Sequence, residues 1–191
     1  RYRGSWESSG KFLKKSPHQD VLDIIDELPQ GFIDLATGKK YKPTIKKIFI
    51  IAGSFGGGAG LLASKDKRIA KVIALSPVVD WPAQNKSKVE PNDYMGALVK
   101  NLFGEAYRYD MKDWNKLNSG KFYNAAGETG FDGNKLFVIH AKDDEVVPYG
   151  PSVAFAKKWG TKLLLLKRGG HLSTSLFTKP RFYKLLKNFF K

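Results

Sequence analysis

Cysteine is absent from this 191-residue sequence. Its absence excludes disulfides, thiolate metal sites and cysteine nucleophiles, although it does not by itself distinguish the cytosol from the exterior. Only three histidines occur and no His-Glu-x-x-His arrangement, so we expect no metal, and no motif implies an organic cofactor. Apolar runs of about eighteen residues and a signal segment are also missing. We therefore expect no membrane partner, and we take a cytoplasmic location as the working expectation.

Acidic residues are scarce: 18 Asp and Glu stand against 33 Lys and Arg, a formal net charge of +15. Such a charge could attract nucleic acid. The lysines, however, are scattered in short groups such as Lys14-Lys15, Lys39-Lys40 and Lys46-Lys47, without a long basic helix face. This scatter is typical of a solvated surface, and we expect no nucleic-acid partner.

Short apolar runs alternate with amphipathic segments along most of the chain. The runs predict strands at Ile48 to Ala52, Lys71 to Ser76, Lys135 to Ala141 and Lys162 to Lys167. The segments predict helices at Pro17 to Leu28, Gly56 to Ser64, Pro151 to Trp159 and Pro180 to Phe190. The first strand is continuous and β-branched, so we expect it to be buried on both faces. The alternation predicts one α/β domain over residues 1–191, a three-layer α/β/α sandwich with a mostly parallel sheet.

Residues 80–134 interrupt this alternation with one amphipathic helix and many aromatic side chains. The segment is either a cap over a site or an extended connection with its own small apolar cluster, and its length does not decide between them. If it is a cap, Trp81, Tyr94 and Trp114 are candidates for lining a substrate pocket.

A serine lies between the first predicted strand and the following helix, in the segment Gly53-Ser54-Phe55-Gly56-Gly57. This is the context in which a G-x-S-x-G motif forms a nucleophile elbow, a sharp turn that lifts the hydroxyl above the sheet edge. At a helix N-terminus, free N–H groups favour an oxyanion, so the N–H of Phe55 is the expected donor. We interpret Ser54 as a nucleophile.

A nucleophilic serine needs a histidine base and a carboxylate. Both follow Ser54 in the sequence, the carboxylate first and the histidine after it. Asp143 and Asp144 come directly after a predicted strand, at the edge where α/β sheets present ligand groups. We choose Asp144 as the acid. Asp143 stays the next candidate, because consecutive residues in a tight turn can point to opposite sides. His171 follows Gly169-Gly170 after the last strand and is the candidate base. His18 and His140, within or beside regular elements, are more typical of structural residues.

These motifs resemble the α/β-hydrolases, and within them the prolyl-oligopeptidase-type serine peptidases and related esterases. The matching segments are Arg3-Gly4-Ser5 with Ser9-Gly10-Lys11-Phe12, Gly53 to Gly57, Ser76 to Trp81, Asp144 with Val147-Pro148, and Gly170-His171. Members of this family carry further strands ahead of the point matching Arg1, with a loop that gives the second oxyanion N–H. The resemblance therefore implies an α/β-hydrolase fold whose N-terminal strands are apparently missing.

The residues and the resemblance together predict a serine hydrolase that cleaves an ester or an amide/peptide bond through an acyl-enzyme intermediate. The expected partner is a small-molecule ester or a short peptide, and the oligomeric state is open. The alternative is a non-catalytic binding domain that keeps the fold and a formal triad without a complete oxyanion site.

Overall fold

Strands and helices alternate along the chain in the computed structural model, which describes residues 1–86 and 91–191. The strands are β1 (Phe32–Ile33), β2 (Lys40–Tyr41), β3 (Ile48–Gly53), β4 (Ile69–Leu75), β5 (Leu136–Ala141) and β6 (Lys162–Leu166). The α-helices are α1 (Pro17–Glu27), α2 (Ser54–Ala63), α3 (Trp81–Gln84), α4 (Asn92–Phe103), α5 (Met111–Asn115), α6 (Gly150–Trp159) and α7 (Pro180–Phe189). Short 3-10 helices occupy Leu28–Gln30, Gly104–Ala106, Lys116–Ser119, Ala125–Gly127, Gly133–Lys135 and Thr174–Thr178. Among the described residues, no helix has both the length and the apolar character needed to cross a membrane.

The central sheet contains β3, β4, β5 and β6 in that order, and every neighbouring pair is parallel. Parallel neighbours need a crossover connection. Helix α2 connects β3 to β4, α6 connects β5 to β6, and residues 76–135 make the remaining crossover. The register places Gly53 beside Leu75 and Leu75 beside Ile139, so the carboxyl ends of these strands meet at one edge. Strands β1 and β2 form a separate antiparallel pair.

Helices cover both faces of this sheet. Alternate residues of β4 and β5 point to opposite sides, because side chains alternate along a strand. Val72, Ala74 and Val138 belong to one buried cluster with α1, α2 and α6, whereas Ile73 and Ile139 belong to a second cluster with α7. The three-layer arrangement predicted from the sequence is therefore confirmed.

Strand β3 differs from its prediction. We expected burial on both faces, but Phe49 is 38% exposed and Ile51 is 40% exposed. The reason is that β3 stands at the edge of the four-stranded sheet and pairs, among the described residues, with β4 alone. Phe49 covers part of its surface by stacking on Phe190, with ring centroids 4.7 Å apart. A continuous apolar run predicts a strand but does not say where in the sheet it lies.

The segment at 80–134 folds into short helices that pack on the α2 side of the sheet. Its buried side chains join the same cluster as α2 and β4; they include Trp81, Trp114, Leu117, Tyr123 and Ala125. Four residues of the segment, 87–90, lie outside the described part of the chain. This packing places Trp81, Trp114 and Tyr123 in one core cluster with α2, the helix that begins where β3 ends.

Candidate active site

Ser54 is the first residue of α2, directly after β3. Its backbone has φ of +52°, a left-handed conformation that is uncommon outside glycine and that turns the chain sharply between strand and helix. The carbonyl oxygen of Ser54 accepts a hydrogen bond of 3.1 Å from the N–H of Val78. The N–H of Phe55 lies in the first turn of α2, where amides have no acceptor within the helix. This amide is therefore available to a negative charge that develops beside Ser54.

His171 and Asp144 are in direct contact. His171 Nδ1 lies 3.0 Å from Asp144 Oδ2 and 3.1 Å from Asp144 Oδ1. Since a carboxylate only accepts, Nδ1 carries the proton, which leaves Nε2 free to take one. The Asp144 side chain is fully buried, whereas that of His171 is 27% exposed. The imidazole is thus held at Nδ1 by a buried carboxylate, while its side chain stays partly exposed.

The carboxylate of Asp144 is kept ionised by its surroundings. Burial alone raises the pKa of a carboxyl group, but hydrogen bonds from His140, His171 and Ser76 outweigh that effect. They hold the pKa of Asp144 well below its ordinary value. The amides of Val146 and Val147 also donate to Asp144 Oδ1, at 3.1 and 3.0 Å. Asp144 is therefore a fixed negative charge in contact with the imidazole of His171.

Asp143, the other carboxylate considered from the sequence, has a different set of partners. Its Oδ1 accepts hydrogen bonds of 2.9 Å from the backbone N–H of Gly169 and of 2.9 Å from that of Gly170. Gly170 has φ of +57°, so the loop turns through a conformation that favours glycine just before His171. The structure thus brings Asp144 to the imidazole of His171 and Asp143 to the loop that carries it.

Ser54 and His171 are not in hydrogen-bond contact in the described parts of the chain. Within the described parts of the chain, no hydrogen bond joins Ser54 Oγ to His171, although both residues follow strands at the same sheet edge. Hydrogen bonds between a nucleophile and its base are often long in proteins without substrate and tighten in the reacting complex. The described residues thus contain a contact between His171 and Asp144, and no hydrogen bond that joins this pair to Ser54.

Two polar residues that the sequence did not single out for function lie against Asp144. His140, predicted to be structural, is fully buried at the end of β5 with Nε2 at 3.2 Å from Asp144 Oδ2. Ser76 follows β4, is fully buried, and accepts a hydrogen bond from the N–H of Leu172. Both stand at or just beyond the carboxyl end of a strand, the position that marks ligand-facing residues in α/β sheets. His18 lies elsewhere, in α1, where its ring nitrogens contact Ser16 Oγ at 2.8 Å and Gln19 Nε2 at 2.7 Å.

An apolar cavity of about 310 Å³ opens beside Ser54. None of the side chains that line it is charged; they are Tyr2, Phe12, Phe55, Val78, Trp81, Gln84, Asn92, Met95, Val99, Phe103, Tyr107, Trp114, Val146 and Val147, together with Ser54 and Gly56. Burial raises the pKa of the Tyr2 phenol to about 12, so this hydroxyl keeps its proton at ordinary pH. The cavity matches the uncharged, apolar part of a small molecule.

The expectation for pocket-lining aromatics needs one correction. Trp81 and Trp114 line the cavity, but Tyr94 does not and is 55% exposed. Helix α4 turns Met95 and Val99 toward the cavity, and Tyr94, one residue before Met95, projects from another side of the helix. In residues 1–86 and 91–191, no group of three or more His, Asp or Glu side chains could hold a metal ion.

Comparison with known proteins gives a family and a fold. A sequence profile of the prolyl oligopeptidase family matches residues 2–191. No curated protein sequence matches. An esterase from Pyrococcus furiosus, Pf2001, superposes with a TM-score of 0.63 and 18% identity over 98% of this chain and 67% of its own. The acylaminoacyl peptidase of Pyrococcus horikoshii gives a TM-score of 0.55 and 21% identity, over 91% of this chain and 27% of its own.

The structure of a mouse protein, alpha/beta hydrolase domain-containing protein 10, also superposes on this chain. Its TM-score is 0.59 with 15% identity, over 97% of this chain and 72% of its own. The chain described here thus spans roughly a quarter to three quarters of the length of these proteins. At such identities, the likeness establishes the fold.

Proposed function

Because this chain belongs to the prolyl oligopeptidase family, within the α/β-hydrolases, we propose that it is a serine hydrolase with the triad Ser54, His171 and Asp144. The contact between His171 Nδ1 and the buried Asp144 carboxylate carries this proposal. It orients the imidazole, fixes its proton on Nδ1 and leaves Nε2 as a base toward the edge at which Ser54 begins α2.

The chemistry follows from these positions. His171 Nε2 takes the proton of Ser54 Oγ as the oxygen attacks the carbonyl carbon of an ester or amide. The carbonyl oxygen becomes negative and is stabilised by the N–H of Phe55 and by the N-terminus of α2. His171 then gives its proton to the leaving group, and water releases the acyl group from Ser54 with the same base. Asp144 stays ionised throughout and stabilises the imidazolium.

The cavity beside Ser54 supports a substrate whose apolar, uncharged part lies against Trp81 and Trp114. We propose that the helices of residues 80–134 serve as the cap that supplies these walls. An aryl or acyl ester of small size fits a cavity of about 310 Å³. A short peptide with an apolar side chain at the cleaved bond fits the same walls, so both bond types belong in the first assays.

Labelling with a fluorophosphonate tests the nucleophile directly. The wild type should be labelled at a single serine, and Ser54→Ala should abolish the labelling. The matched control is Ser9→Ala, an exposed serine away from the site, which should be labelled like the wild type. Absence of labelling in folded wild-type protein would exclude the proposal. A p-nitrophenyl ester and an apolar aminoacyl p-nitroanilide, assayed side by side, then separate esterase from peptidase activity.

A non-catalytic binding domain is the second candidate. The missing hydrogen bond between Ser54 Oγ and His171 among the described residues favours it, since a serine without its base is a weak nucleophile. In that case, the apolar cavity would bind a small ligand without turnover. Binding of an ester by the wild type, with neither hydrolysis nor fluorophosphonate labelling, would identify this function.

A further inference from the structure

His140 is a buried imidazole whose ring makes three polar contacts, and the proposed reaction does not use it. It is the penultimate residue of β5, four residues before Asp144, and has no solvent exposure. Its Nε2 lies 3.2 Å from Asp144 Oδ2 and 3.1 Å from the carbonyl oxygen of Val147. Its Nδ1 lies 2.9 Å from the hydroxyl of Ser152, which is itself fully buried in α6. Both ring nitrogens are therefore satisfied inside the protein.

The partners of this ring determine where its proton lies. Asp144 Oδ2 and Val147 O are acceptors, so Nε2 must carry a proton and donate to them. The Ser152 hydroxyl can donate to Nδ1, which then needs no proton. The neutral ring protonated at Nε2 satisfies all three contacts and places no extra charge in the core, where an unpaired charge is costly. The Ser152 hydroxyl is compatible with this ring form, which the acceptors Asp144 and Val147 require.

We infer that His140 is a positioning residue for the proposed triad, acting through Asp144, and that Ser152 holds the other side of its ring in place. This inference rests on the proposed function, because positioning has a catalytic consequence only if His171 acts as a base. Nε2 of His140 lies 3.2 Å from Oδ2, while the amides of Val146 and Val147 donate to Oδ1. The carboxylate is thereby fixed in plane and direction, and His171 Nδ1 meets both of its oxygens.

Asp144 must have two properties that a buried carboxylate does not have by itself. It must stay ionised although its side chain is fully buried, and it must keep one orientation although carboxylates rotate readily. A second, neutral histidine at Oδ2 supplies a further polar contact without adding a positive charge that would compete with the imidazolium. The titratable side chains in contact with Asp144 are His140 and His171, and Ser76 adds a neutral hydroxyl.

The kinetic experiment compares two substitutions of His140 in the full chain. His140→Leu fills the space without a donor, whereas His140→Gln offers a side-chain N–H in place of Nε2. The structural control is Val138→Ala, two residues earlier in β5, which removes buried volume without touching Asp144. For each protein, the rate of fluorophosphonate labelling and kcat are expressed per titrated Ser54, so that a loss of folded protein does not count.

We expect His140→Leu to lower both rates per titrated site about 100-fold with little change in KM, as expected for a small displacement of the base. His140→Gln should recover most of this loss, to within about 10-fold of the wild type, and Val138→Ala should keep the wild-type rate per site. The rates per titrated site of Ser152→Ala should lie between those of the wild type and of His140→Leu. This variant tests the inference if His140→Leu does not fold. Equal rates per site in His140→Leu and the wild type would overturn the inference.

A spectroscopic arm separates this inference from the proposed function. In protein labelled with ¹⁵N at its three histidines, His140 should be protonated at Nε2 and not at Nδ1. The Nδ1–H resonance of His171 should move in His140→Leu and stay in place in Val138→Ala. If the wild type is not labelled by fluorophosphonate, the proposed function fails, and the ¹⁵N spectra still test the positioning. An Nδ1-protonated His140, or an unmoved His171 resonance in His140→Leu, would refute it.

Discussion

Ser76 Oγ accepts a hydrogen bond of 3.1 Å from the backbone N–H of Leu172, the residue that follows the proposed base. Ser76 is fully buried and has φ of +41°, a strained conformation for a residue other than glycine. The Ser76 hydroxyl also contributes to lowering the pKa of Asp144. One side chain after β4 therefore acts both on the histidine loop after β6 and on the carboxylate after β5.

Replacing Ser76 with alanine should weaken both stability and catalysis. The change leaves the buried N–H of Leu172 without its acceptor, which costs about 1–3 kcal/mol of unfolding free energy, and it removes a hydroxyl that lowers the pKa of Asp144. The control is Ser64→Ala, another buried serine, whose hydroxyl donates to the carbonyl of Leu61 in α2, away from the site. Urea unfolding should show a loss for both variants, while kcat should fall only for Ser76→Ala. An unchanged kcat in Ser76→Ala would mean that the two loops hold their positions without this contact.

The two consecutive aspartates should respond differently to substitution. Asp144→Asn should lower kcat by about 10⁴-fold, since an amide can hold His171 in the wrong tautomer. Asp143→Ala should cost only about 10-fold, because it frees the N–H groups of Gly169 and Gly170 and loosens the loop without altering the imidazole. Asp143→Asn keeps an acceptor oxygen and should stay near the wild type. Steady-state kinetics on one ester substrate measures all three, and a larger loss for Asp143→Ala than for Asp144→Asn would reverse the assignment.

The depressed pKa of Asp144 predicts a specific sensitivity to acid. A carboxyl whose pKa is lower in the folded protein than in the unfolded chain stabilises the fold above its unfolded value, here 3.8, and that stability is lost as pH falls below it. Below about pH 4, the unfolding free energy of the wild type should therefore fall more steeply than that of Asp144→Asn, by up to about 1.4 kcal/mol per pH unit. Urea unfolding at pH 5, 4 and 3 compares the slopes. Parallel profiles would show that Asp144 titrates normally.

Much of this architecture follows from local patterns in the sequence. Apolar runs separated by amphipathic segments predict parallel strands, and parallel strands end at one edge. Residues directly after those strands, such as Ser54, Asp144 and His171, are therefore expected to be neighbours. The α/β/α fold and the presence of His171 beside an aspartate of the Asp143-Asp144 pair needed no tertiary information beyond this.

Other features depend on contacts that no local pattern contains. Asp144 rather than Asp143 faces His171 because the amides of Val146 and Val147 close a tight turn on the Asp144 carboxylate. His140 lies 3.2 Å from this carboxylate and contacts the Ser152 hydroxyl of α6 with its other ring nitrogen, so its position depends on two other parts of the fold. The exposure of Phe49 likewise depends on the position of β3 at the sheet edge.

The glycines around Ser54 should differ in their tolerance of alanine. A Cβ on Gly57 would lie 2.6 Å from the Cβ of Pro77, so α2 or the loop after β4 must move. A Cβ on Gly53 would meet its nearest atom, the carbonyl oxygen of Leu75, at an ordinary 3.6 Å, and the backbone there is extended. Gly57→Ala should therefore lose about 1–3 kcal/mol of unfolding free energy in spite of alanine's better helix propensity, whereas Gly53→Ala should lose little or none. Urea unfolding of the two variants in parallel measures the difference; if Gly57→Ala is as stable as Gly53→Ala, Pro77 does not restrict the approach of α2 to the loop after β4.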